Sequence, residues 1–289
     1  MRAIAAGLSD VGRERSHNED RYVLLPEFNV FVVADGMGGH QSGEVASRMA
    51  ASSIATYFRS DPAPPAPPPT TVGERLKAAV VEANARIFQR ADDARMYRGM
   101  GTTVVAAAFS TPETTLYVAH AGDSRCYRIR SGTIVQLTRD HSLLSDALLE
   151  RPELTESDLA YLPRNVITRA LGIAPTVDVD LAAVRVELGD VFLLCSDGLH
   201  GLIDDEEISD IVTDTLVLTD ACAKLIERAN AAGGRDNITA VLIRIEEEDE
   251  PWSTRMPITR RSDDTSTIPP SSRTTSPPPS SGSTGKIGG

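Results

Sequence analysis

Five aspartates stand where a short apolar run meets a glycine or another polar residue. They are Asp20 in HNED, Asp35 in VVADGMGG, Asp123 in AHAGDSR, Asp197 in LLCSDG and Asp236 in GGRDN. A single Asp-Gly is ordinarily a turn. Five such aspartates, each embedded in an apolar run, suggest something more. Strands of one sheet end along a common rim, so the pattern predicts that these carboxylates converge. Grouped carboxylates repel one another and are costly to bury unless a cation neutralises them. A set of oxygen donors without thiols, and with few histidines, suits Mg²⁺ or Mn²⁺. The glycines Gly36, Gly38 and Gly39 let the backbone turn sharply and bring a carbonyl close to an ion.

The elements that must carry these residues are legible in outline. Asn29 to Ala34 reads as a buried strand running into Asp35. Helical periodicity covers 41–59 and 73–92. Thr102 to Phe109 and Thr115 to Ala119 read as strands. A hairpin pairs Cys126 to Arg130 with Thr133 to Leu137 across Ser131-Gly132. Val191 to Cys195 runs into Asp197, helices are expected near 204–213 and 218–231, and Ile238 to Ile245 closes the domain as a strand. Strand clusters interrupted by helix pairs indicate an α+β layered fold rather than βαβ alternation. The folded domain is expected over 1–245. Asp61 to Thr71 reads as an extended proline-rich loop, and Glu246 to Gly289 as a disordered tail rich in Ser, Thr and Pro.

Composition removes several classes of function. The formal net charge of −12 argues against nucleic acid, whose backbone needs a basic surface. Any anionic substrate must therefore be drawn by local cations. The three cysteines, Cys126, Cys195 and Cys222, are odd in number and lack ligand spacing. They read as small buried hydrophobes in a reducing cytoplasm. The first twenty residues turn polar too early for a signal peptide. No apolar run reaches the roughly 18 residues needed to span a bilayer. No coiled coil or exposed apolar helix asks for a dimer, so a monomer is expected.

The ordered set RSHNEDR (15–21), VVADGMGGHQSGEVAS (32–47), GMGTTVV (99–105), AGDSRCYRI (121–129), DHSL (140–143), VITRALG (166–172), LLCSDGL (193–199) and GGRDNITAV (233–241) resembles the metal-dependent protein phosphatases. The family is protein phosphatase type 2C, in its bacterial form, and the likeness covers the whole folded region in order. The resemblance implies a four-layer αββα sandwich, with two central, mostly antiparallel sheets flanked by helices and the metals at one end. It implies two core ions and a third, weaker one, Mn²⁺ or Mg²⁺. Asp35 would bridge the two core ions, the Gly36 carbonyl would ligate one, and Asp197 and Asp236 would be the other direct carboxylate ligands. Glu19 and Asp20 would act largely through bound water, and Asp123 with Asp197 would hold the third ion. Arg15 would grip the substrate phosphate, its planar fork matching phosphate geometry; Arg13 is the competing candidate. Residues 144–165 would form a flap beside the active site, with Thr155 to Asp158 as a helix start.

The implied chemistry is hydrolysis of phosphoserine and phosphothreonine in proteins by a metal-activated water aimed in line at phosphorus. One departure concerns the proton donor. Eukaryotic relatives place a histidine directly after the Asp-Gly pair, and here Met37 stands there. His40 is the nearest replacement, because imidazole titrates near neutrality; a metal-bound water is the alternative. Among the other histidines, His17 reads as a surface residue, His120 as a packed strand residue, and His141 and His200 as loop-shaping residues. The expected partners are phosphoproteins, including Ser/Thr protein kinases and their substrates. Two other readings stay open: a phosphatase dedicated to one phosphoprotein, and an inactive phosphoprotein-binding module. Retention of Asp35, Asp197 and Asp236 weighs against the second.

Overall fold

Antiparallel pairing organises residues Met1–Glu248 around two five-stranded sheets. The structure, a computed structural model, describes residues 1–38, 42–60, 71–93, 95–159, 162–163 and 166–248. Gly39, His40, the proline-rich loop apart from Thr71, and the tail beyond Glu248 lie outside them, so the expectations placed there are untouched. Along the chain come β1 (Arg2–Asp10), β2 (Arg21–Leu25), β3 (Val30–Ala34), β4 (Gly36–Met37), α1 (Ser42–Arg59) and α2 (Val72–Asp93). Then follow β5 (Gly101–Thr102), β6 (Val104–Ser110), β7 (Thr115–Ala121), β8 (Arg125–Arg130), β9 (Thr133–Gln136), α3 (Leu143–Glu150) and α4 (Glu156–Leu159). The last stretch holds β10 (Asp180–Arg185), β11 (Val191–Cys195), α5 (Asp197–His200), α6 (Asp205–Asp214), α7 (Leu218–Ala231) and β12 (Ile238–Glu246).

One sheet runs β1-β12-β11-β8-β9 and the other β10-β7-β6-β3-β2. Alternation along the central strands explains the layering, because both faces are apolar. In β6, Val104, Ala106 and Ala108 face a core built with α1 and α2, while Val105, Ala107 and Phe109 face the other sheet. In β12, Ala240 and Leu242 meet the core of α6 and α7, while Val241, Ile243 and Ile245 fill the inter-sheet space. Three apolar cores thus separate four layers, as the resemblance implied. The scarcity of aromatics is met by Ala, Val, Leu and Ile packed between the layers. No helix among the described residues is long and apolar enough to cross a membrane.

The structure redraws several boundaries. Three strands of the two five-stranded sheets escape the sequence patterns: β1, β2 and β10. The expected strand from Thr102 is broken at Thr103, whose backbone and side chain turn to Asp35. Asn29 leaves the expected strand, taking a left-handed conformation (φ 53°) after a 3₁₀ turn. Ser131 and Gly132 both have positive φ (50° and 76°), as a tight I′-type hairpin turn requires. At α4, the Thr155 amide donates to Asp158 Oδ2 (2.9 Å), so the predicted helix start is a capping box.

Candidate metal centre and active site

The five aspartates share one end of the molecule, but not one sheet. Arg21 pairs with Ala34, so Asp20, just before β2, and Asp35, just after β3, lie side by side. Cys195 pairs with both Ala240 and Arg125, which brings the end of β11 beside the starts of β12 and β8. Asp197 follows β11, Asp236 precedes β12, and Asp123 precedes β8. The rim is therefore assembled from both sheets, and three of its aspartates, Asp20, Asp123 and Asp236, enter strands rather than leave them. The three-residue link from β7 to β8 crosses between the sheets and carries Asp123.

A cleft of about 340 Å³ opens at this rim, lined by Arg15, Glu19, Asp35, Gly36, Met37, Asp197 and Asp236. Asp20 lies behind it, 1% exposed, with one oxygen taken by the Ser196 and Thr239 hydroxyls at 2.7 and 2.6 Å. Asp123 is outside the cleft lining; after burial, the charge that acts on it most is that of Asp197. The Arg15 guanidinium donates to Asp236 Oδ2 at 2.7 Å. Arg13 is instead held by its backbone, its amide donating to Gly234 O at 2.6 Å, and does not line the cleft. Of the two arginines weighed for the substrate phosphate, Arg15 lines the cleft and Arg13 does not.

Burial and mutual repulsion raise the carboxyl pKa values here. Asp35 is pushed well above the ordinary range by burial first, then by the Asp20, Asp197, Asp123 and Asp236 charges. Asp20 rises to about 6 through burial, against the two hydroxyls that favour its charge. Asp123 rises to about 7 through burial and then the Asp197 charge. Asp197 is raised by burial and by Asp236, and Glu19 by burial despite Arg15. Buried oxygens without a hydrogen-bond partner remain on Asp20 (Oδ1), Asp123 (Oδ1) and Asp197 (Oδ1). Orphaned carboxylate oxygens in a low-dielectric site are what a hard divalent cation satisfies. The donor set fits Mg²⁺ or Mn²⁺.

The supporting residues are mostly ones the sequence patterns pass over. Thr102 Oγ1 donates to Asp35 O (2.8 Å), the Thr103 amide donates to the same oxygen (2.8 Å), and Thr103 Oγ1 accepts the Asp35 amide (3.1 Å). Asn237 Oδ1 accepts the Glu19 amide (2.8 Å), while its Nδ2 donates to Val11 O and His17 O (both 2.9 Å). Their only sequence signal is adjacency to an aspartate or to the start of an apolar run. Gly36 is required for space rather than for a sharp turn: a Cβ there would lie 2.2 Å from Gly43 O and 2.7 Å from Glu19 O. The three cysteines are buried and free, as expected.

Comparison with known proteins agrees with this geometry. Residues 12–242 match the family described as protein phosphatase 2C. The chain is 36% identical over 239 residues to the serine/threonine phosphatase stp of Listeria welshimeri, covering 81% of this chain and 93% of that one. The crystal structure of the Mycobacterium tuberculosis serine/threonine phosphatase PstP/Ppp superposes with a TM-score of 0.75 at 32% identity, covering 86% of this chain and 100% of that one. A structure of the PstP catalytic domain in complex with 2 manganese ions gives a TM-score of 0.73 at 31% identity, covering 85% and 99%. With the ordered motifs, the αββα layers and the carboxylate rim in agreement, the chain belongs to the protein phosphatase 2C family, the metal-dependent protein serine/threonine phosphatases.

Proposed function

We propose that this protein hydrolyses phosphoserine and phosphothreonine monoesters in proteins, reversing the action of bacterial Ser/Thr protein kinases in the cytoplasm. The observation that carries the reading is the buried carboxylate set with orphaned oxygens, opening into a cleft with Arg15 at its mouth. Asp35, the Gly36 carbonyl, Asp197 and Asp236 would hold two Mn²⁺ or Mg²⁺ ions. Glu19 and Asp20 would act through water, and Asp123 with Asp197 would hold a weaker third ion. When bound, the ions supply an acidified water and positive charge opposite the phosphoryl oxygens.

The chain's own residues supply position and charge. Thr102 and Thr103 hold the Asp35 carbonyl and amide through three hydrogen bonds, which fixes the backbone that carries its carboxylate. Arg15 presents a guanidinium fork 53% exposed at the cleft, where a phosphate dianion can compete with Asp236 for it. Met37 lines the cleft and cannot donate a proton. Protonation of the leaving serine or threonine oxygen is assigned to His40, with water as the alternative donor.

The test is Mn²⁺-dependent hydrolysis of a phosphothreonine peptide by the wild type and by Asp197→Asn. The wild type is expected to turn over only with added metal, and the variant to lose at least a hundredfold in kcat/KM. Turnover surviving chelation, or an unimpaired variant, would overturn the metal mechanism. Absent turnover with intact Mn²⁺ binding would leave a phosphoprotein-binding module instead.

A further inference from the structure

Two further arginines stand beside Arg15. Arg13 precedes it by two residues on the segment between β1 and β2, and Arg235 comes immediately before Asp236 on the turn between α7 and β12. Arg15 is tied to Asp236 at 2.7 Å. Arg13 and Arg235 are exposed, and neither side chain has a hydrogen-bond or ion-pair partner among the described residues. Glu14, between Arg13 and Arg15, is exposed as well and pairs with neither.

Backbone contacts lock the two segments into one platform. The Arg13 and Glu14 amides both donate to Gly234 O (2.6 and 3.3 Å), and Asn237 Nδ2 ties down Val11 O and His17 O. Gly12 permits this approach. Its φ is 82°, and a Cβ there would lie 2.2 Å from Asp236 O. The two arginine side chains lie against consecutive glycines of the same turn. A Cβ on Gly234 would be 2.7 Å from Arg13 Cγ, and one on Gly233 would be 3.8 Å from Arg235 Cγ and Nε. Arg13 and Arg235 therefore flank one two-glycine turn that leads into Asp236, the partner of Arg15.

Three guanidiniums on one platform, with one direct ion pair between them, leave a local excess of positive charge in a chain of net charge −12. Arg15 lines the cleft and serves the phosphoryl group there. Arg13 and Arg235 lie outside the lining, so they face what surrounds that group. The Arg13 Cα is at most about 7 Å from that of Arg15, two residue spacings away. An extended peptide advances about 3.3 Å per residue. A side chain two or three positions from the phosphorylated residue thus comes over the platform. A guanidinium takes a carboxylate or a phosphate through two parallel N–H···O bonds. Arg13 and Arg235 have no ion pair to break before doing so.

We propose that Arg13 and Arg235 form a second anion subsite, which takes a carboxylate or a second phosphate two or three residues from the phosphorylated residue. Its occupant rests on the phosphatase reading, and it makes acidic or multiply phosphorylated segments the preferred substrates. Both arginines share one platform, so the preference is directional along the peptide. The test uses the full chain with Mn²⁺ and phosphothreonine peptides of equal length. One has neutral flanks. The others carry, on the amino or the carboxyl side, either two aspartates or a non-hydrolysable phosphonate mimic of phosphoserine. The readout is the ratio of kcat/KM for each anionic peptide over the neutral one. In the wild type the ratio on the favoured side should be about threefold for aspartates, in the range of exposed ion pairs. It should be about tenfold for the phosphonate, whose charge can engage both forks. Arg13→Gln and Arg235→Gln should each lower the ratio, and the double variant should bring it to about one. A substitution that merely disturbs the fold would slow every peptide alike and leave the ratio in place.

The relative gain from aspartates and from the phosphonate identifies which anion the subsite takes. A wild-type ratio near one for both, an equal gain on the two flanks, or a ratio that survives in the double variant would overturn the proposal. Should the wild type turn over no peptide, the phosphatase reading fails separately. Fluorescence anisotropy of the same peptides, titrated with the wild type and the double variant, then reads the subsite as a ratio of Kd values, with the same outcomes deciding it.

Discussion

Asp123 separates the cost of the site from its use. Its carboxyl is pushed from the ordinary 3.8 to about 7, by burial first and by the Asp197 charge second. A raised folded-state pKa contributes stability below the unfolded value and loses it as pH rises through the folded one. The metal-free wild type should therefore be penalised by this group increasingly between about pH 4 and 7. Asp123→Asn removes the penalty. In chelator, the variant's stability relative to wild type should climb over that window and level off above pH 7, by on the order of 4 kcal/mol. The comparison has to be made as a difference, because buried His120, His141 and His200, with lowered pKa values, lose stability as pH falls over the same range. Denaturant titrations of both proteins at several pH values read it; a pH-independent difference would mean the Asp123 charge is not buried at this cost. Residues of this kind were legible in the sequence because aspartate is out of place beside an apolar run. The hydroxyls that hold them were not. Ser196 and Thr239 reach Asp20 from 176 and 219 residues away in sequence, and a serine or threonine at or beside a strand end has no local peculiarity to mark it.

Strands with clear apolar blocks were also legible: β3, β11 and β12 are buried on both faces and read as continuous runs. The missed strands are those whose apolar signal is diluted. Strand β10 is an edge strand with alternating burial, yet its outward positions include Leu181 and Ala183, so no polar alternation shows. Strand β1 is rich in alanine and glycine and gains its definition from nine paired residues along β12. What these elements achieve at the rim depends on close approach. At Gly198, just inside α5, a Cβ would lie 2.0 Å from Asn237 O, in the segment that carries Asp236. Backbone atoms at that distance cannot yield as a flexible side chain can. Gly198→Ala should therefore push the β11 exit from the β12 entry and separate Asp197 from Asp236. The expected result is a loss of about 1–3 kcal/mol in stability, typical of overpacking, with a much larger loss of Mn²⁺ affinity. Calorimetry alongside denaturant unfolding distinguishes the two, and an affinity equal to wild type would show that the approach of these two elements does not set the site.

At the scale of the whole molecule, the carboxylate rim is a seam between two sheets that otherwise meet largely through apolar side chains, with the Tyr22 hydroxyl on Gly7 O as one polar exception. Asp20 and Asp35 belong to one sheet, Asp197 and Asp236 to the other, and Asp123 to the crossing. This convergence was the part of the site hardest to foresee, since pairing of strands far apart in sequence decides it. A cation shared across the seam would act as a cross-link, and its removal would leave like charges facing one another in a poorly solvated space. The net charge of −12 adds a diffuse repulsion of a different kind. Salt separates the two, because it screens exposed charges beyond about 8 Å at physiological strength and buried ones far less. Saturating Mn²⁺ at about a hundredfold excess over Kd should stabilise the protein by about 2.7 kcal/mol per strong site. For a domain of this size that raises Tm by roughly 5–11 °C. Added KCl at matched ionic strength should move the chelated protein by only a small part of that, and Asp197→Asn should lose most of the Mn²⁺ response while keeping the KCl response. Thermal scans in chelator, Mn²⁺ and KCl give all three numbers. A KCl effect as large as the Mn²⁺ effect would assign the repulsion to the surface and remove the seam as its source.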